Sequence, residues 1–139
     1  MSRDMSEQLE VLFPGGKRVH VRIRDFEIAT DQSLKDGGDA SAPAPFDLFL
    51  ASMAACAGIY ALNFCQSRKL PTTGLGLDML WERDDKRHIK AIKARARLRL
   101  RLPEGFPPKY REGILRAMDL CAVKKQIENA PELTTEILD

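Results

Sequence analysis

The sequence predicts an α+β fold in which antiparallel strands surround one long, buried central helix. Three observations predict it. Residues 9–28 alternate between apolar and polar side chains, residues 46–65 form an apolar run of helical length, and residues 75–102 return to alternation before a helical stripe.

The 139 residues suit a single domain, 1–139, with 1–8 as a flexible N-terminal stretch. An apolar fraction of 44% and a charged fraction of 30% are those of a soluble globular chain. Twenty-two Lys and Arg against 20 Asp and Glu leave a net charge of +2, too little to imply a nucleic-acid partner. The opening Met1-Ser2-Arg3-Asp4-Met5-Ser6 is polar and carries no signal-peptide core, so a cytoplasmic location is expected. Three cysteines make no disulfide framework and are read as reduced thiols. His20, His88 and the scattered cysteines lack metal-ligand spacing, and no phosphate-binding glycine loop occurs, so neither metal nor organic cofactor is expected.

The elements follow in order. Leu9–Phe13 is a strand that ends at the turn Pro14-Gly15-Gly16-Lys17. Val19, Val21 and Ile23 then alternate with His20, Arg22 and Arg24; beyond Arg24-Asp25 the phase switches to Phe26 and Ile28, as at a tight turn or bulge between strands. Asp31–Pro45, with Gly37-Gly38, Pro43 and Pro45, is a loop. From Phe46 to Cys65 only Asp47 is charged, and it sits where the positive end of a helix favours a carboxylate. Length alone would let this run cross a membrane, but its many small residues and the lack of other spans favour a buried helix. A helix apolar on all sides needs cover on all sides, which predicts an intimate homodimer.

A hairpin comes next. Leu75, Leu77, Met79 and Trp81 lead to Asp84-Asp85-Lys86-Arg87, and Ile92, Ala94, Ala96, Leu98, Leu100 and Leu102 return. Pairing about that turn sets Leu77 opposite Ala94 and Asp78 opposite Lys93. The cations from Lys93 to Arg101 lie on the other strand face; without interleaved aromatics they read as solvated surface. Tyr110, Ile114, Ala117, Met118 and Cys121 mark a second helix, followed by a short helix from about Ala122 to Asn129 and a final strand near Thr134–Leu138.

The candidate chemistry lies in Cys56, mid-way along the central helix, and Cys121, at the end of the second helical stripe. Composition alone favours reading both as small buried hydrophobes, the common fate of free cysteine. Cys65 lies nine residues after Cys56; at 100° per residue it points the opposite way and is read as packing. Asp47, nine residues before Cys56, also lies on the far side, while Ser52, Met53, Tyr60 and Asn63 share the Cys56 face.

The run Gly37-Gly38-Asp39-Ala40-Ser41-Ala42-Pro43-Ala44-Pro45-Phe46-Asp47-Leu48-Phe49-Leu50-Ala51-Ser52-Met53-Ala54-Ala55-Cys56 resembles the OsmC/Ohr family signature, a Gly- and Pro-containing loop opening a small-residue helix that leads to a cysteine. Cys121-Ala122-Val123 resembles the family's second motif, usually Cys-Pro-Val, and Pro131-Glu132-Leu133 is similar to the approach to its last strand. The resemblance implies an intertwined homodimer with the two cysteines meeting in an interface pocket. It implies thiol-dependent reduction of organic or lipid hydroperoxides, with Cys56 peroxidatic, Cys121 resolving and a dithiol as reductant. Arg18, after Gly15-Gly16-Lys17, is the candidate activating cation, and Asp47 the acid near the helix start. The Ohr branch carries Glu ten residues before the first cysteine; Phe46 stands there, and Ala122 replaces the usual Pro. A non-catalytic dimer that binds a small apolar or thiol-containing ligand in the same pocket is the alternative.

Overall fold

The computed structural model describes residues 7–83 and 94–139. Most of the N-terminal stretch, the turn at Asp84–Arg87, His88, Ile92 and Lys93 lie outside the described residues. Two compact units form, one within residues 1–49 and one within 50–139.

In the first unit β1 (Leu9–Gly15), β2 (Arg18–Ile23) and β3 (Phe26–Ile28) make an antiparallel sheet in the order β1-β2-β3. Gly15 pairs with Arg18 across the expected glycine turn, with an irregular register between Leu12 and Gly15. Arg24, at φ 52, makes the expected tight turn into β3. The registers Leu9↔Ile23↔Phe26 and Val11↔Val21↔Ile28 put these apolar side chains on one face, because the phase switch at Arg24-Asp25 is what the reversal of direction requires. That face is poorly covered: Leu9, Val11 and Phe26 are about half exposed or more.

Asp31 organises the loop that follows. Its buried carboxylate accepts from the hydroxyl and N–H of Ser41 and from the N–H groups of Gln32 and Asp39. Gly38 closes the same loop, because a Cβ there would lie 2.2 Å from the Gln32 carbonyl oxygen. The helix α1 (Pro45–Ser67) starts from this loop, and the Asp47 carboxylate accepts the Ala44 N–H at 2.9 Å. That bond reaches back over an otherwise unpaired N–H at the helix start.

The second unit carries the core. Ala57, Ala61, Phe64 and Cys65 of α1 pack with Phe106, Ile114 and Met118, flanked by Leu75, Leu77, Leu100 and Leu102. β4 (Gly76–Arg83) and β5 (Ala94–Arg101) form an antiparallel pair; α2 (Arg111–Asp119) follows a single 3-10 turn, and α3 (Ala122–Glu128) follows α2. Gly113 on α2 lets the two helices approach closely, since a Cβ there would meet the Phe64 ring at 3.1 Å.

Two expectations are corrected. Leu77 pairs with Leu100, Asp78 with Arg99 and Arg83 with Ala94, a slip of six residues from the expected register. An even slip leaves every side chain on its face, so alternation alone could not choose between registers. The expected strand at Thr134–Leu138 does not form: 130–139 has no helix or strand, and Leu133, Ile137 and Leu138 are exposed. As expected for one chain around a helix apolar on all sides, α1 is buried on one side only, and Phe46, Phe49 and Ile59 are 40–48% exposed. At 23 residues and a hydropathy of 1.7, α1 is long and apolar enough to cross a membrane by length and composition.

The loop titrates in a defined direction. The Ser41 hydroxyl, then the Ser41 N–H, lowers the Asp31 carboxyl from 3.8 to about 2 against the opposing effect of burial, with the Gln32 and Asp39 N–H groups adding to the shift. A depressed carboxyl stabilises the fold fully above its unfolded pKa and loses that contribution as pH falls through the folded one. Stability is therefore expected to fall between about pH 4 and pH 2. Asp31→Asn should be less stable at neutral pH and lose this part of the acid slope, which urea unfolding as a function of pH would show.

Candidate functional site

The site begins where α2 ends. Cys121 is the N-cap of α3, with φ −58 and ψ 138, and its sulfur accepts the Lys124 N–H at 3.3 Å. The first N–H groups of any helix have no carbonyl within it to bond. Here those of Val123 and Ala122, together with the Cys121 thiol, lie near enough to the Cys56 sulfur to lower its pKa. The structure therefore brings Cys56 and Cys121, 65 residues apart, close enough to influence each other's ionisation.

The two thiols are electrostatically unequal. The Val123 N–H is the chief influence holding Cys56 below the ordinary thiol range; burial opposes it, and the Cys121 thiol and Ala122 N–H add to it. Burial pushes Cys121 up, and the neighbouring Cys56 sulfur pushes it further. Cys56 is thus the better thiolate and Cys121 the better thiol. Cys56 is half-buried, so it keeps some access, whereas Cys121 is 2% exposed. Cys65 is fully buried in the core, and burial raises its thiol, as expected of a packing residue.

A cavity of about 440 Å³ adjoins Cys121. Met53, Ala57, Met79, Leu98, Met118 and Cys121 are among its walls, and Asp119, Lys124 and Glu128 add charge. Its size is that of a small-molecule pocket. Lys124 is held by Asp119 at 2.8 Å, a bond that raises its ammonium pKa.

Arg18 and Asp47 belong to the first unit. The Arg18 guanidinium donates to Asp39 at 2.9 Å and to Ser41 at 3.4 Å, and Asp47 caps α1. The sequence reading sought a cation to activate Cys56 and missed the backbone donors. Their signal was present: a helix expected to start at Ala122 leaves its first N–H groups free beside Cys121.

A family model described as OsmC-like protein matches residues 37–136, well over half of the chain. The chain belongs to the OsmC-like family. No curated protein matches it. Among solved structures, this OsmC-like chain is similar to a Psychrobacter arcticus 273-4 protein assigned to osmotic stress and detoxification, at 16% identity and a TM-score of 0.70, covering 90% of each chain. It is also similar to a Legionella pneumophila organic hydroperoxide resistance protein OsmC at 18% identity and TM-score 0.62, covering 91% of each. An OsmC-like protein from Mycoplasma pneumoniae matches at 13% identity and TM-score 0.63, over 92% of this chain and 91% of that one. These likenesses show the α+β fold; the family places the chain among OsmC-like proteins.

The backbone donors can be removed one at a time. Ala122→Pro deletes one N–H at the first helical position, where proline fits, and the Cys121 dihedrals suit a residue that precedes proline. The expected result is a higher Cys56 pKa, read from the pH dependence of iodoacetamide alkylation at the Cys56 peptide. Ala122→Ser, which keeps the N–H, should titrate like the parent chain. Equal pKa values for parent and proline variant would mean that this N–H does not act on the sulfur.

Proposed function

We propose that this OsmC-like protein reduces organic hydroperoxides through Cys56 and Cys121. The carrying observation is the proximity of the two thiols, with surroundings that favour the thiolate at Cys56 and the thiol at Cys121. The Cys56 thiolate attacks the terminal oxygen of the hydroperoxide. An S–O bond forms, the O–O bond breaks, and the alkoxide leaves as an alcohol after taking a proton. Cys121 then attacks the sulfenic sulfur; a disulfide forms and the hydroxyl departs with the thiol proton as water. An external dithiol restores both thiols by exchange, taking the oxidising equivalents away as its own disulfide. The apolar cavity beside Cys121 suits the carbon chain of such a substrate.

One equivalent of cumene hydroperoxide should rapidly form a Cys56–Cys121 disulfide with Cys65 still free, as intact mass and peptide mapping would reveal. Cys56→Ser should drop peroxide consumption to the uncatalysed rate. Three thiols that stay reduced would sink this reading and favour the second: a non-catalytic OsmC-like protein that binds a small apolar or thiol-containing ligand in the same cavity.

The working form is proposed to be a cytoplasmic homodimer. Its support is the uncovered apolar surface, namely one face of the β1-β2-β3 sheet and the outer side of α1. Sedimentation at micromolar concentration should give twice the chain mass of 15.6 kDa. A monomer there would remove the dimer from the proposal.

A further inference from the structure

We propose that the cavity beside Cys121 is also a binding site for a soft monovalent metal ion, Cu(I), held entirely by sulfur. The chain has five methionines; Met1 and Met5 lie outside the described residues, and all three others, Met53, Met79 and Met118, line this one cavity together with Cys121. Cys56, near enough to Cys121 for the two thiols to influence each other's ionisation, brings a second thiol to the edge of the group. The donors converge from separate elements: Met53 and Cys56 from α1, Met79 from β4, Met118 from α2, and Cys121 from the cap of α3. Met53 precedes Cys56 by three residues, so both lie on one face of α1.

The chemistry of this donor set is selective. Thiolates and thioethers are soft ligands that select Cu(I), whereas Mg²⁺ and Ca²⁺ require oxygen. Among the described residues no three His, Cys, Asp or Glu side chains gather as a metal site. Of the two carboxylates that line the cavity, Asp119 and Glu128, the first is bound to Lys124 at 2.8 Å. Charge balance also fits. One cysteine thiolate with one Cu(I), completed by uncharged methionine thioethers, is neutral overall, so a largely apolar cavity can hold the group without an unpaired charge. Methionine often serves simply to fill a core. Here Met53 and Met79 are only half-buried and border open space, so their sulfur atoms have room to turn toward an ion. Reduced thiols suffice for this binding, whether or not they react with peroxide.

The test uses the full reduced chain without oxygen or peroxide. Cu(I) is presented as its bicinchoninate complex, and transfer is followed by the loss of that complex's colour. The expected result is one Cu(I) taken up per chain, at least tenfold more weakly after Met53→Leu, Met79→Leu and Met118→Leu are combined. Leucine conserves volume, a change that cores tolerate well. Direct evidence comes from selenomethionyl protein, in which X-ray absorption at copper should show a selenium shell. Met1 and Met5 carry selenium too, so loss of the shell in the triple variant assigns it to the cavity; single leucine variants make the same assignment should the triple one not fold. No transfer of Cu(I), no selenium shell, or undiminished affinity in the leucine variants would each overturn the proposal.

Discussion

The close approach of α1 to its neighbours is the constraint on which the rest of this molecule depends. Ala57 and Ala61 present almost no side chain, and Gly58 stands 3.8 Å, measured from its would-be Cβ, from Leu77. On the other helix Gly113 leaves room for the Phe64 ring. Small residues on both sides let backbones come near enough to gather Phe64, Ile114 and Met118 into one core cluster. Cys56 sits one residue before that stripe. Its position against the first turn of α3 follows from how α1 is seated, so a change at Ala57 or Ala61 would act on the thiol through geometry rather than contact.

The two cysteines differ in charge preference although they are the same residue type and lie near each other. Three neighbouring groups lower the Cys56 thiol, while Cys121 accepts from Lys124 and has burial against its thiolate. Backbone N–H groups are fixed by the helix that carries them, so they stabilise an anion without a flexible side chain having to be ordered. This bears on the departures at Phe46 and Ala122. Without a Glu at 46 there is no acid at that position to hold an arginine, and Arg18 is engaged by Asp39 and Ser41. Alanine at 122 supplies an N–H that proline could not. One departure removes a possible charge-based activation; the other adds a donor.

Much of this was legible in the residues, for physical reasons. Period-two alternation gave away β1, β2, β4 and β5, and the phase switch at Arg24-Asp25 marked the tight turn into β3. The apolar run 46–65 predicted α1, which extends to Pro45 and Ser67. The opposite orientation of Cys65 followed from helical geometry and agrees with its burial in the core. The hairpin register was not legible, because a six-residue slip preserves which side chains share a face. Nor was the fate of Thr134–Leu138: a strand is a property of a pair, and side-chain pattern does not say whether an edge is available. At the site the sulfurs could be named from a resemblance, while the Val123 and Ala122 donors belong to the backbone and carry no residue signature.

The misread strand and the bare side of α1 have a common cause. Each expectation came from an apolar pattern that needs a neighbour, and a single chain runs out of neighbours. Leu133, Ile137 and Leu138 stay about 90% exposed, and Phe13 is 78% exposed. Burying each such side chain is worth about 1.5–3 kcal/mol, so several together make a strong drive toward association. A second copy brings the same uncovered sheet face and the same helix side, and identical patches can meet about a two-fold axis. Apolar patterning in this sequence therefore describes more surface than one chain can bury, and the excess is the physical case for the proposed homodimer.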